Sequence, residues 1–421
     1  MFQHSNQDKV WDLIVIGGGP AGLFCAANSS EKGRKILILE KKKSPGRKLL
    51  VSGSGRCNIT HDGDIRSFLD HYSDAGRFLR SALLGFTNRD LVAFFEFRGL
   101  AMIRQEGGKV FPQTQRSRDV LKVLIEECRA KNVDLKCGKT VTSINRYGDG
   151  FEVACGDETY RSRLLVLACG GRSYPLTGST GDGYDFAKSL GHTIAEIGPA
   201  LTPVRIKDYP FSELAGISFP DAEVSINRQR KVKEHHGDVL LTHEGLSGPG
   251  ILDLSRHIRT GDVLRISFVG AKKREDLERW LLERSREDGA RNLRSTLADL
   301  GPPARLTARV LEISEIPQDL KCAQMTRDMR IALADHLTGF PMVVERLGGF
   351  DSAMITRGGV DLLEVDSKTM ESKLVRGLYF VGEVLDVDGD TGGYNLQAAF
   401  STGILAARSI QKRLADLKGA R

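Results

Sequence analysis

The sequence predicts an α/β fold: a Rossmann-type unit built around a mostly parallel sheet, interrupted by an inserted domain that is β-barrel-like in its first part and helical in its second. Three observations carry this. Asp12 to Gly22 reads DLIVIGGGPAG, an apolar run closed by Gly17, Gly19 and Gly22 in G-x-G-x-x-G spacing. Two more apolar runs ending in a turn, LLVLACGG (Leu164 to Gly171) and GLYFVGE (Gly377 to Glu383), read as strands of the same sheet although they lie far apart in the chain. Pro199, Pro203 and Pro210 follow Gly198 in quick succession, a change of composition that marks where the chain leaves the first unit.

The 421 residues suit two or three domains, with 61 Lys+Arg, 54 Asp+Glu and 40% hydrophobic residues in the balance of a globular protein. Disorder and collagen are excluded. Forty-six glycines against 13 prolines point to many tight backbone turns. The net charge of +7 raises the question of an anionic partner. Seven cysteines (Cys25, Cys57, Cys128, Cys137, Cys155, Cys169 and Cys322) form no CxxC pair, so neither a zinc site nor a disulfide scaffold is expected. A polar Met1 to Trp11 and the lack of an apolar run near 20 residues predict neither export nor membrane insertion, and a cytoplasmic location.

The elements follow in order. The first strand leads through Gly17, Gly19, Pro20, Ala21 and Gly22 into a helix whose free N–H groups suit a pyrophosphate. The next apolar run, Ile36 to Leu39, ends in Glu40, placed to accept hydrogen bonds from the hydroxyls of an adenosine ribose. After Glu40 and Lys41 comes a polar, glycine-rich loop unlike a crossover helix. Arg116 to Lys131 has helical periodicity. Val133 to Lys136, Val141 to Asn145 and Phe151 to Ala154 read as strands.

Domain boundaries are expected near 1–197 and 351–421 for the two parts of the first unit and 198–350 for the insert, β-rich to about 270 and helical over 271–340. The insert has no second G-x-G-x-x-G, which argues against a separate nicotinamide domain. Its helix Lys272 to Arg291 mixes both charges as a solvated face does. Its one basic run, NRQRKVK ending at Lys233, reads as an exposed hairpin.

Lys48 together with SGSGRCN (Ser52 to Asn58) resembles the signature loop of the HI0933-like flavoprotein family, also called the aminoacetone oxidase or BaiN family, with fumarate-reductase-type flavoproteins as nearer relatives. Four further blocks agree: Cys169 to His192, Leu241 to Leu252, Thr356 to Val360, and Gly377 to Gly403. The resemblance implies a fold like glutathione and fumarate reductase, non-covalent FAD, and a small-molecule substrate between flavin and insert. It places Ser52, Gly53, Gly55, Arg56, Cys57 and Asn58 beside the flavin and Val141 near adenine. Ala168, Cys169 and Gly170 fall at the sheet edge, and Gly382 and Glu383 at the ribityl chain and pyrophosphate. Gly392, Gly393, Tyr394, Asn395 and Leu396 fall at the start of the last helix, whose N-terminus suits negative charge at flavin N1 and O2.

Because a flavin transfers hydride itself, few catalytic side chains are needed. His243 is the general-acid candidate, since imidazole titrates near neutrality. Arg56 could anchor an anion, and Tyr174 could donate a phenolic proton. Each also has a structural reading: a lone histidine, a loop anchor, an aromatic wall. The activities implied are NAD(P)H-dependent reduction of a conjugated double bond or oxidation of an amine, with NAD(P)H as a transient donor. Two other classes stay open: an RNA-linked flavoprotein similar to tRNA-modifying FAD proteins, motivated by the +7 charge and NRQRKVK though nucleic acid is not the leading expectation, and a flavin-binding protein without turnover. Metal ligands are not expected, and the sequence leaves the oligomeric state open.

Overall fold

The computed structural model describes residues 9–228 and 231–419. The chain divides into two compact units, Met1–Pro199 with Met354–Arg421, and Ala200–Ala353.

In the first unit, β1 (Val10–Ile16) is buried on both faces from Leu13 onward, as a central parallel strand must be. It turns at Gly17 into α1 (Pro20–Ser29) and returns as β2 (Ile36–Glu40). Short β3 (Thr60–His61), β4 (Met102–Arg104) and β5 (Lys109–Pro112) form a separate antiparallel sheet, and between β3 and β4 lie α2 (Gly76–Gly85) and α3 (Asn88–Phe97). Helix α4 (Ser117–Ala130) carries Val120, Leu121, Leu124 and Cys128 on its buried face, the periodicity that predicts it. Next come β6 (Asp134–Cys137), the hairpin β7 (Ser143–Tyr147) and β8 (Gly150–Cys155), then β9 (Glu158–Leu167) and α5 (Asp182–Ser189).

The main sheet runs β6–β2–β1–β9–β8–β7. Strand β9 is longer than its apolar stretch suggests. Its first half is antiparallel to β8, from Cys155↔Glu158 to Phe151↔Ser162, and alternates buried with half-exposed residues, so only the second half has the continuous apolar pattern of a central strand.

The second unit is a closed barrel with helices. Strands β10 (Val204–Ile206), β11 (Ser218–Arg228), β12 (Lys231–Leu241), β13 (Gly245–Ser247), β14 (Val263–Ile266) and β15 (Phe340–Leu347) close in the order β10–β13–β12–β11–β14–β15. Helices α6 (Arg274–Glu287), α7 (Ala304–Ile313) and α8 (Arg327–Gly339) all precede β15. The β-rich and helical parts are therefore not consecutive, since the closing strand comes after the helices. Its alternation of buried Phe340, Met342 and Val344 with exposed neighbours is the pattern of a barrel wall. Of NRQRKVK, Gln229 and Arg230 lie outside the described residues; around them β11 and β12 pair out to Arg228↔Lys231.

Back in the first unit, β16 (Leu378–Phe380) lies parallel to the second half of β9, Leu378↔Leu165 to Phe380↔Leu167. It is three residues long, because Gly382–Val384 winds into a 3-10 turn. Helix α9 (Tyr394–Gly419) then packs on α1, where Gly403 is required: a Cβ there would stand 2.9 Å from the Ala21 carbonyl oxygen. No helix among the described residues is long and apolar enough to cross a membrane.

Candidate functional site

The turn between β1 and α1 is shaped by two close approaches. A Cβ on Gly17, at φ +108°, would stand 2.3 Å from the Ala168 carbonyl oxygen, and one on Gly22 would stand 2.1 Å from the Gly17 carbonyl oxygen. Both glycines are dictated by packing. Gly19 differs: its φ of −78° suits any residue, and a Cβ on it would meet no atom within 4 Å. The first turn of α1 has no side-chain cap, and Pro20 stands at the position where a missing N–H costs nothing. An open cradle lined by uncapped N–H groups fits a pyrophosphate.

Glu40, at the carboxyl end of β2, is already oriented. Its Oε2 accepts from Gly18 N at 2.8 Å and its Oε1 from Lys42 N at 2.8 Å, which leaves further lone pairs on both oxygens for two hydroxyls. Beside it Lys41 donates from Nζ to Asp182 Oδ2 at 2.6 Å and to Thr180 Oγ1. Burial raises the Asp182 pKa, but the bonds from Lys41 and Thr180 outweigh it and hold the carboxyl below its ordinary value. Val141 is buried just after β6. Ala168 N bonds back to Ile16 O at 2.9 Å, while Cys169 and Gly170 (φ +71°) continue past the strand end.

A second hub gathers residues from four segments. Lys48 Nζ lies 2.6 Å from Glu383 Oε2 and 2.5 Å from Ser173 Oγ. Glu383 Oε1 also accepts from Thr356 N at 2.9 Å and Ser173 Oγ at 3.1 Å. Thr356 Oγ1 accepts from the Arg172 and Ser173 N–H groups, and Gly171 leaves the room, for a Cβ on it would stand 2.3 Å from Thr356 Oγ1. The sequence reading singles out Lys48 and Glu383 but not Ser173 and Thr356, although Thr356 opens the TRGGV block and Ser173 follows the LACGG strand.

The loop Ser52–Gly55 winds as a 3-10 turn through left-handed Gly53 and Ser54. It closes with Arg56 N to Gly53 O and Cys57 N to Ser52 O, while Asn58 Oδ1 accepts from Val110 N. Arg56 is exposed, bonds Gly53 O through Nε at 3.3 Å and stacks its guanidinium over Phe111 at 4.8 Å. Cys57 is fully buried, and burial pushes its thiol up to about 12, a thiol held neutral and inert.

Gly392 and Gly393, at φ +116° and +104°, lead into α9; a Cβ on Gly393 would stand 2.5 Å from the Thr60 carbonyl. Tyr394 is buried and Asn395 Nδ2 donates to Gly389 O and Asp390 O, tying that turn to the helix, with half-buried Leu396 behind.

Arg56 and half-buried Tyr174 (φ +52°) belong to the first unit, and His243 lies exposed in the turn between β12 and β13 of the second. What the first unit brings together and sequence reasoning missed is a group around Tyr394: His71 and Asp390, discussed below. No spacing pattern signals His71, because it reaches Asp390 from 319 residues away.

A family model described as the HI0933-like protein Rossmann domain matches residues 11–409. The 3-dehydro-bile acid delta(4,6)-reductase of Clostridium scindens is 33% identical, over 95% of this chain and 98% of the relative. The ribosomal RNA dihydrouridine synthases of Escherichia coli and Haemophilus influenzae are 32% and 30% identical over the same shares. Among solved structures, a 3-ketosteroid delta1-dehydrogenase from Sterolibacterium denitrificans aligns over 96% of this chain and 100% of its own with TM-score 0.50 at 14% identity, a likeness of fold alone.

Proposed function

The chain belongs to the HI0933-like family of FAD-dependent oxidoreductases, and from that premise we propose that it is a reductase of a carbon–carbon double bond conjugated to a carbonyl group. The observation that carries this reading is the pair of activities named for its full-length relatives. A bile-acid delta(4,6)-reductase and a dihydrouridine synthase act on unrelated molecules, yet both add two hydrogens across such a bond. FAD, when bound, supplies the hydride at N5.

The residues divide the remaining work. The α1 N-terminus with Gly17, Gly19, Pro20, Ala21 and Gly22 would hold the pyrophosphate, and Glu40 the adenosine ribose. Glu383, fixed by Lys48, Ser173 and Thr356, would take a ribityl hydroxyl, and its fixed position spares reorganisation on binding. The Ser52–Asn58 loop would shape the ring pocket through its backbone, with Cys57 as a buried anchor. The α9 N-terminus with Gly392 and Gly393 would offer N–H groups to negative charge on the ring's pyrimidine edge. NAD(P)H is the proposed donor, entering the substrate's cavity before it, since the chain has one dinucleotide fingerprint. Arg56, Tyr174 and His243 are the proposed candidates for substrate anchoring and protonation.

Two substrate classes share this chemistry. A small conjugated ketone is the first. A uracil in RNA is the second, favoured by the two dihydrouridine synthases and by where the charge lies: basic and acidic residues balance between 200 and 353, so the whole +7 belongs to the first unit. The experiment is anaerobic. Enzyme bleached with NAD(P)H is mixed with a 3-keto-4-ene steroid acid, or with a uridine-containing ribosomal RNA fragment. Return of the yellow colour on mixing with either one supports the reading and names the class; bleaching only by an amine, with peroxide formed in air, refutes it in favour of an oxidase.

A further inference from the structure

Tyr394, the first residue of α9, lies between two imidazoles. The His71 ring stacks on it at 4.0 Å with planes 15° apart, and His61 stacks at 5.3 Å and 14°. Phe68 and Tyr72 meet its ring edge-on, and Tyr72 donates its hydroxyl to the Tyr394 carbonyl at 2.8 Å. The Tyr394 hydroxyl lies 3.1 Å from His71 Nε2, and His71 Nδ1 lies 2.8 Å from Asp390 Oδ2. The backbone fixes the same geometry: Asp390 N donates to His71 O at 2.9 Å, and Asn395 ties Gly389 and Asp390 to the first turn of the helix. Tyr394 is 5% exposed, whereas the His71 side chain is 37% exposed, so the chain of bonds runs from the helix start out to solvent.

The His71 ring stands between the positive end of the α9 dipole, through Tyr394, and the Asp390 carboxylate, close to any new charge at the helix end. On the reading that the flavin's pyrimidine edge docks at that N-terminus, reduction places one negative charge there, which a proton on the imidazole would offset. We propose that Asp390, His71 and Tyr394 form a proton-storing relay that takes up one proton at His71 when the flavin is reduced and releases it on reoxidation. His71 is a positioning residue in this scheme, acting through Tyr394 and the local field.

The balance closes. A hydride from reduced nicotinamide adds two electrons and one proton, leaving one net negative charge. A solvent proton then binds His71 Nε2 and cancels it, and the Tyr394 hydroxyl turns from donor to acceptor. When hydride leaves to the carbon acceptor, the His71 proton returns to solvent, and the acceptor, left with one negative charge, takes one proton from solvent to complete the addition of two hydrogens. Among the described residues, the groups bonded to the His71 ring nitrogens are the Asp390 carboxylate and the Tyr394 hydroxyl. Beyond them Tyr72 contacts Tyr394, and His61, whose ring nitrogens meet the Asp62 and Gly107 carbonyls, is the rival site of uptake.

The test is the midpoint potential of the FAD-loaded protein as a function of pH, by spectroelectrochemistry with mediators. Over the pH range in which the reduced form carries the extra proton and the oxidised form does not, the slope is expected to steepen by one proton per two electrons, about 30 mV per pH unit. His71→Gln removes the steeper section, His61→Gln keeps it, and Asp390→Asn, which spares the imidazole, moves it to lower pH. A wild-type plot without that section, or one that survives in His71→Gln at the same pH, overturns the relay. Purified wild-type protein that cannot be loaded with FAD overturns instead the reading of the helix end on which the relay rests.

Discussion

Replacing Gly19 with valine separates cofactor binding from folding. The backbone at Gly19 is extended, φ −78° and ψ 178°, which a β-branched residue adopts readily. Its Cβ would meet no protein atom within 4 Å, so the apoprotein should change in stability by no more than about 0.5 kcal/mol. The same Cβ would stand at the N-terminus of α1, where a bound pyrophosphate would meet the uncapped N–H groups. Excluding a pyrophosphate from two such charge-assisted bonds, at about 1.5–3 kcal/mol each, costs about 3–6 kcal/mol, or on the order of 10²- to 10⁴-fold in FAD affinity. Gly22→Ala is the contrasting control: its Cβ would lie 2.1 Å from the Gly17 carbonyl oxygen, and the backbone must shift at a cost of about 1–3 kcal/mol. Urea unfolding of both apoproteins, beside fluorescence titration with FAD, reads both quantities. Wild-type FAD affinity in Gly19→Val, or an apoprotein weakened by more than about 2 kcal/mol, would refute the assignment of this cradle.

Three other outcomes follow from the same geometry. Glu40→Gln keeps the shape but loses the carboxylate's charge and one acceptor, so FAD should bind about tenfold more weakly, at about 1.4 kcal/mol, in the same titration. Glu383→Met strips Lys48 of its ion partner and Thr356 N of its acceptor, and should cost about 2–3 kcal/mol in thermal unfolding together with FAD retention; Lys48→Met in the same background should recover part of the loss. The bond from Arg98, against opposing burial and with Lys131 adding to it, holds the Glu127 carboxyl below its ordinary value, so this pairing of α3 with α4 stabilises the fold at neutral pH and is lost as pH falls through that lowered value. Glu127→Gln should remove about 1.5 kcal/mol at pH 7 and flatten the acid limb of a stability–pH curve; an unchanged limb would discount the pair.

The parts of this protein that follow local rules were readable from its sequence. The β1–α1–β2 unit announces itself because a continuous apolar strand, a glycine turn that packing requires and a carboxylate at the next strand's end all fall within 31 residues, Val10 to Glu40. The α4 helix follows from its apolar stripe. Strand lengths were less legible, since the first half of β9 alternates as an edge partner of β8 and β16 is cut short by the turn at Gly382. The closing barrel strand β15 is separated from its siblings by a helical stretch that includes α6, α7 and α8, and only ring closure reveals that it belongs with them. Side-chain hubs were hardest. Lys48 meets Glu383 across 335 residues and His71 meets Asp390 across 319, contacts that no periodicity encodes. The prominence of Arg56 and Cys57 in a motif likewise says nothing of their orientation, which leaves the arginine on Phe111 and the thiol buried.

The most direct test of the proposed chemistry is the mass of the product from a single anaerobic turnover. FAD-loaded enzyme is reduced with one equivalent of NAD(P)H, freed of excess, and mixed with one equivalent of a conjugated enone or of a short RNA carrying the reactive uridine. The account predicts an acceptor heavier by two hydrogens, formed in a one-to-one ratio with reoxidised flavin and without dioxygen. Flavin that returns to its oxidised form only when air is admitted, with every acceptor recovered at its starting mass, would contradict it.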